Sequence, residues 1–352
     1  MQLNPKKIFG ALGRRYGGKT FLNFRKAYYN RLHIFQNFIG TLFVRFHRKA
    51  PFSLDKEIDT KLYHDNPEEI KKRGVIVMLD GAIYHGGLTD RIRGILTAYR
   101  ECKKRNIPFY IYWKEPFLLT DYLLPASFDW RINDVDITRS RLNSRAVAID
   151  DMNDSQSLGR LKAALAAPPA QLHLYTNADS ARGEYASLYR ELFRPTALLS
   201  EEVEKHKRIL GDNYVAVTTR FLTLLGDFND WCDVVLSPEE QKILMQRVGE
   251  EFKKVTADLP PSAKILVTSD SMKFLEYMRN FDSRVYIVDG KVEHIDLTEN
   301  RDQDSWLKTF VDQYLIMGAA KVIRLRTGKM YASGFARFGA EVGEAEFVDH
   351  IF

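Results

Sequence analysis

Apolar positions along this chain follow two alternating rhythms, unbroken runs and recurrences at three and four residues. Val75-Ile76-Val77-Met78-Leu79 is such a run, the pattern of a strand covered on both faces. It breaks into Asp80-Gly81-Ala82-Ile83-Tyr84-His85-Gly86-Gly87-Leu88-Thr89-Asp90, after which Ile92, Ile95, Leu96 and Tyr99 recur at helical spacing. The stretch reads as strand, glycine turn and helix, with Thr89 or Asp90 able to cap the helix. Runs at 108–113, 146–149 and 172–176 predict further strands, and 132–137 alternates as a half-exposed one. Helical patterns cover 182–193 and 200–210, and 166–170 is a loop.

From Tyr214 the alternation becomes regular. Strands at 214–219, 264–268, 284–288 and 321–325 alternate with helices at 238–257, 272–280 and 304–318, and a segment of small residues begins at Ser333. Short loops between alternating elements imply a parallel sheet wound on both sides. A length of 352 residues exceeds one ordinary core, so we expect a segment 1–50, an α/β domain 51–205 and a Rossmann-like domain 206–352.

Open α/β sheets place ligands beyond the carboxyl ends of their strands. There Tyr214-Val215-Ala216-Val217-Thr218-Thr219-Arg220 delivers an arginine, whose planar fork suits a phosphate or simply closes the strand at the surface. The next strand ends in Ser269-Asp270-Ser271. The last leads through Arg326-Thr327-Gly328-Lys329 to Ser333-Gly334-Phe335. Together these ends suit a diphosphate in one crevice; singly, Asp270 and Ser333 are equally suited to cap the helices that follow. Gly86-Gly87 permits positive φ or close approach of backbone to an anion, yet lacks the spacing of a dinucleotide fingerprint or a P-loop. His85 and Asp90 are ionisable groups at the mouth of that helix.

Composition changes this picture little, and charge changes it at one end. Apolar content of 45% and charged content of 28% are those of a soluble globular protein. Cys102 and Cys232 stand far apart, which argues against a disulfide framework or a zinc site and for a reducing compartment. Residues 1–50 hold eleven Lys and Arg and no acid, out of 52 basic and 46 acidic residues in all, so the body is net acidic. Within that segment Phe35, Phe38, Ile39, Leu42 and Phe43 share a helical face in an apolar stretch too short to span a bilayer and without the marks of a secretory signal. Such a basic amphipathic helix suits an anionic membrane surface, or packs on the body. Nucleic acid is the poorest partner, because the rest of the chain offers neither a recognition fold nor a stacking platform. The expectation is a cytoplasmic protein, peripheral at the inner face of the membrane.

Several of these pieces resemble one family. Gly86-Gly87-Leu88-Thr89-Asp90-Arg91-Ile92 is similar to the Gly-Gly-Leu-Gly-Asn-Gln-Leu opening of bacterial fucosyltransferases. Val217-Thr218-Thr219-Arg220 resembles the His-X-Arg strand of the fucosyltransferase superfamily, which includes α1,2-, α1,6- and protein O-fucosyltransferases. Ser269-Asp270-Ser271 resembles its Ser-Asp-Asp segment, and Phe310-Val311-Asp312-Gln313-Tyr314-Leu315 with Ala332-Ser333-Gly334-Phe335-Ala336 its closing block. The match runs in order over roughly 75–100 and 213–345. The departures that matter are Thr218 in place of the histidine, Phe221-Leu222-Thr223 in place of the acid-bearing turn with an acid only at Asp227, and Asp90 in place of the asparagine.

The resemblance implies a GT-B fold of two facing Rossmann-like domains, and inverting, metal-independent transfer of fucose from GDP-fucose to a glycan or lipid-linked glycan, without cofactor. By position Arg220 would hold the β-phosphate, Asp270 would lie near the guanosine, and Ser333 with Phe335 would border the nucleotide, with Lys329 as a second cation. For the base the candidates are Asp90, then His85, then Asp227. Asp134-Val135-Asp136 looks like the metal-binding Asp-X-Asp of other glycosyltransferases, but the surrounding alternation suits a strand, and no metal is expected. The alternatives are a GT-B transferase using another nucleotide sugar and a catalytically silent nucleotide- or carbohydrate-binding protein, which Thr218 and the missing early acid favour.

Overall fold

The structure is a computed structural model that describes residues 52–149, 155–230, 234–296 and 303–352. The membrane-association expectation falls on 1–50 and so lies outside the described residues, as does Cys232. Residues Ile58–Phe352 form one compact unit, and helix α1 (Phe52–Leu62) runs into its start.

β1 (Gly74–Leu79) is buried along its whole length, as its apolar run requires, and pairs in parallel with β2 (Phe109–Trp113) and with β5 (Gln171–Thr176). β4 (Ser144–Ile149) completes a sheet of order β2-β1-β5-β4. A small antiparallel pair, β3 (Leu123–Pro125) with β6 (Phe193–Pro195), lies outside it. Helix α2 (Leu88–Lys103) buries Ile92, Ile95, Leu96 and Tyr99. Its Gly94 crosses the end of β5 so closely that a Cβ there would stand 2.1 Å from the Thr176 carbonyl oxygen. Helix α3 (Ser155–Ala166), which periodicity did not single out, connects β4 to β5.

The second half is a five-stranded parallel sheet of order β11-β10-β7-β8-β9. Its strands are β7 (Val215–Thr218), β8 (Ile265–Thr268), β9 (Val285–Tyr286), β10 (Lys321–Arg326) and β11 (Glu346–Ile351). Its helices are α6 (Pro238–Val255), α7 (Met272–Phe281), α8 (Gln303–Met317) and α9 (Gly334–Gly343). α6 starts where its residues demand: Ser237 and Glu240 form a reciprocal capping box with Pro238 in the first turn. One face of the sheet buries Val215, Val217, Ile265 and Val267 with Phe252 and Phe274. The other face, through Ala216, Leu266 and Val322, joins the core of the first half.

That shared core ties the halves together. Helices α4 (Tyr185–Leu192) and α5 (Ala197–Leu210) pack on α9 and α8 respectively. Tyr122 stacks on Phe310 at 4.6 Å between ring centroids, and Phe117 meets Trp306 at 5.1 Å. Aromatic pairs at such separations add to the large area each ring buries.

Two strand expectations fail. Residues 132–137 do not form a strand: Asp134–Asp136 is a 3₁₀ turn, closed where the Asp136 carboxylate accepts the Asn133 N–H at 3.3 Å. The strand expected at 284–288 shrinks to Val285–Tyr286, because the chain leaves the sheet edge there and crosses toward the strand ends. The final strand β11 was not foreseen, since its charged, half-buried sequence keeps no apolar rhythm.

Candidate active site

A cleft of about 330 Å³ opens at the carboxyl ends of the second sheet. Eight of the eleven residues singled out in the sequence line it: Gly86, Gly87, Asp90, Arg220, Ser269, Asp270, Ser333 and Phe335. His85, Asp227 and Lys329 do not.

Arg220 follows β7 by two residues. Its guanidinium lies over the Phe228 ring at 4.5 Å and is held by two carboxylates, Asp230 at 2.8 Å and Asp270 at 3.2 Å. Asp270 does not cap α7; Ser271 does, accepting the Phe274 N–H at 3.1 Å. Asp270 instead accepts the backbone N–H groups of Phe221 at 2.8 Å and Leu222 at 2.7 Å, which fixes the turn after β7. Burial pushes its carboxyl above the usual range, against the pull of Arg220 and those amides. Ser269 and Thr218 stand beside it at the strand ends, and the buried Thr219 hydroxyl has no partner among the described residues.

Ser333 caps α9, accepting the Phe335 N–H at 3.2 Å. Its carbonyl takes a hydrogen bond from Arg324 at 2.6 Å, and Arg324 is itself clamped by Asp349 at 2.9 and 2.7 Å. Lys329 does not line the cleft; its backbone N–H is bound to the Thr327 hydroxyl.

The first half contributes the glycine turn and the start of α2. Gly86 takes φ 76°, a value glycine adopts without cost, and a Cβ there would come within 2.7 Å of the Asp90 carboxylate. Asp90 accepts the Gly87 N–H at 3.2 Å and pairs with Arg93, so it serves as a cap while facing the cleft. Arg93 reaches across: a Cβ on Gly334 would lie 2.9 Å from its Nη1. His85 is 1% exposed, its ring stacked against Tyr175. Burial pushes its pKa down to about 4, with Arg91 adding to the shift. Asp227 is spent on the start of α7, accepting from the Ser271 hydroxyl at 3.0 Å and the Lys273 N–H at 2.8 Å. Asp134 pairs with Lys114 at 2.9 Å and Asp136 with Lys72 at 3.5 Å, neither in the cleft.

Sequence reasoning missed four residues of the cleft. Asp230 had only its nearness to Arg220 to mark it. His294 comes from the loop after β9, where the Asp296 carboxylate ties the chain to the His85 and Gly86 N–H groups at 3.0 and 2.5 Å and to Arg91. Its Nδ1 accepts the Asp296 N–H at 3.2 Å, and burial, then Arg220, lowers its pKa. Asp312 was within reach, because it belongs to a block already matched to the family. Its side chain is buried and paired with Lys308 at 2.6 Å; one carboxylate oxygen has no partner among the described residues, and burial raises its pKa. Arg324 was hidden inside a strand.

No model of a known protein family matches the chain, and no curated protein matches it. Solved structures do. NodZ, an alpha-1,6-fucosyltransferase whose structure was determined after soaking with GDP-fucose, is similar at 14% identity over 80% of this chain and 94% of its own, with a TM-score of 0.50; NodZ is a Bradyrhizobium protein. A mutant of Arabidopsis thaliana FUT1 in complex with GDP is 12% identical over 85% of this chain and 74% of its own, with a TM-score of 0.48. POFUT1 in complex with GDP is 11% identical over 81% and 99%, with a TM-score of 0.45. The chain therefore shares the fold of NodZ, two parallel α/β halves of the GT-B kind. No helix among the described residues is long and apolar enough to cross a membrane.

Proposed function

We propose that this protein is an inverting, metal-independent glycosyltransferase that moves fucose from GDP-fucose to a hydroxyl of a glycan or lipid-linked glycan. The observation that carries the proposal is the convergence of Arg220, Asp270 and Ser333 from three strand ends with Asp90 from the start of α2 on one cleft. In the reaction the acceptor oxygen bonds to the anomeric carbon while the bond from that carbon to the β-phosphate oxygen breaks, leaving its electron pair on the diphosphate. Arg220 meets that growing charge with a fixed fork, and Asp270 orients the fork through Nε. The unpartnered oxygen of Asp312 offers an acceptor to the nucleobase or ribose of the donor. Asp90 takes the proton of the acceptor hydroxyl. It is preferred to His85 and Asp227 because it alone of the three lines the cleft. A lipid-linked acceptor would bring the chain to a cytoplasmic membrane surface, for which the basic segment 1–50 is suited.

A second reading, a nucleotide-sugar binder without turnover, draws on Arg220 being already paired with two acids. Thermal melting with GDP, UDP and ADP at one common concentration identifies the donor, since a ligand present at about 100 times its Kd adds about 2.7 kcal/mol of stability and a weaker one adds less. Stabilisation by GDP with transfer from GDP-fucose is the expected result. Arg220→Lys keeps the charge and loses the fork, so transfer should fall about 100-fold or more in a folded protein. Undiminished turnover by that variant removes the assignment, and donor binding by wild type without transfer or hydrolysis supports the silent binder.

A further inference from the structure

The two carboxylates on Arg220 differ in kind. The side chain of Asp270 is 1% exposed and it also holds two backbone N–H groups, so it belongs to the fabric of the turn. Asp230 lines the cleft as Asp270 does, but it takes Nη2 at 2.8 Å with its side chain 12% exposed. From Arg220 to Asp230 the chain passes Leu222 at φ 55° and Gly226 at φ 73° and returns to the arginine twice, with the Phe228 ring against the guanidinium and with the Asp230 carboxylate at Nη2. The Nη2 edge of the arginine thus already carries an anion of the chain itself.

We propose that Asp230 is an internal competitor of the diphosphate. Its carboxylate holds the Nη2 edge of Arg220, yields that edge to the donor, and retakes it as the nucleoside diphosphate product leaves. Asp270 sits at Nε, but a diphosphate that needs the Nη2 edge meets the Asp230 carboxylate at contact distance, where like charges repel, so one anion displaces the other there. The arrangement lowers donor affinity and speeds product release, while Asp270 and Phe228 keep Arg220 in place throughout. The inference rests on the donor reading only in taking a diphosphate as the ligand.

Asp230→Asn keeps the shape and an acceptor oxygen for Arg220 but removes the charge; Asp230→Ser removes the reach as well. Calorimetric titration of the wild type and both variants with GDP and with inorganic pyrophosphate, at one ionic strength, tests the idea, with melting curves to establish that each variant folds. Both ligands should bind Asp230→Asn about tenfold more tightly, with slower GDP dissociation and stronger product inhibition. Equal or weaker binding of both ligands by both variants overturns the proposal, because Asp230 then only orients Arg220. If GDP binds the wild type and the variants bind it no more tightly, the competitor fails while the donor reading stands. If pyrophosphate alone binds and tightens, the competitor stands and the nucleotide reading fails. Binding of neither probe by any of the three proteins sinks both.

Discussion

The two parallel sheets end in polar residues at the same place in their topology, yet they use them in opposite ways. At the ends of the first sheet Asp80 accepts from Arg139 at 2.7 Å and from the Tyr175 hydroxyl at 3.1 Å, while within β5 His173 lies between the Tyr63 hydroxyl and Gln171. Burial pushes the hydroxyl pKa values of Tyr63 and Tyr175 well up, so both remain donors. Those polar groups answer one another. At the ends of the second sheet Arg220, Ser269, Asp270 and Ser333 face the cleft, and the first half adds only its glycine turn and the start of α2. A strand end is therefore a place where a ligand can bind, and the charges left facing outward decide whether it does.

The largest effects should come from the two aspartates that follow the strands of each half. Asp270→Ala strands two backbone N–H groups and half of the Arg220 clamp, and breaking a buried pair of this kind costs about 3–5 kcal/mol. Asp80→Ala frees Arg139 and Tyr175 nearer the surface, at about 1–3 kcal/mol. Urea unfolding gives both figures, and GDP titration divides the sites: Asp270→Ala should lose nucleotide binding under conditions where it is folded, and Asp80→Ala should keep it. Loss of GDP binding by a stable Asp80→Ala protein would erase the contrast between the sheets.

Acid should separate the halves next. In the first half burial holds His85 down to about 4 and His173 down to about 3. The unfolded chain binds protons from about pH 6.5 downward while these folded sites do not, so stability falls from pH 6.5 and stops falling once the folded values are passed. Each histidine contributes a slope of up to about 1.4 kcal/mol per pH unit in that window. In the second half hydrogen bonds from Arg324 and then Arg326 hold Asp349 well below the usual carboxylate range. Its contribution is complete above the unfolded value near 3.9 and is lost as pH falls below it. Chemical denaturation between pH 7 and 4 should show His85→Gln with a flatter profile than wild type. An unchanged profile would mean that His85 takes up its proton in the folded state.

The same contrast governs what could be read from the sequence. Buried parallel strands announce themselves as apolar runs, so β1, β5, β7, β8 and β10 were legible, and with them the placement of Arg220, Ser269 and Asp270 at strand ends. Arg220 was found as a lone charge closing a strand, but its partner Asp230 arrives through an irregular ten-residue excursion that keeps no period. His294 and Asp296 come from a loop that reaches the glycine turn some two hundred residues away in sequence. The alternation at 132–137 misled because local side-chain hydrogen bonds within Asn133-Asp134-Val135-Asp136 offered the backbone a turn in place of a ladder. Thr218 marks a further boundary, since a departure from a family pattern shows which residue is missing and leaves open what stands in for it.

The smallest effect belongs to Ser333, and it decides whether that residue is fabric or site. Its hydroxyl is spent on the Phe335 N–H, the bond any N-cap makes, while the contact to Arg324 is made by its carbonyl and survives substitution. Ser333→Ala should therefore cost about 1 kcal/mol of stability and leave donor affinity within about twofold, with Arg324 still aligning the start of α9. Asp90 is the matching cap in the first half, accepting the Gly87 N–H while exposing its carboxylate to the cleft. Asp90→Asn keeps an acceptor for that N–H and removes the proposed base, so it should keep its fold and lose turnover. Equal losses of turnover in the two variants would place the Ser333 hydroxyl on the donor as well as on the helix, and the second sheet would then bind its ligand through a cap as well as through a charge.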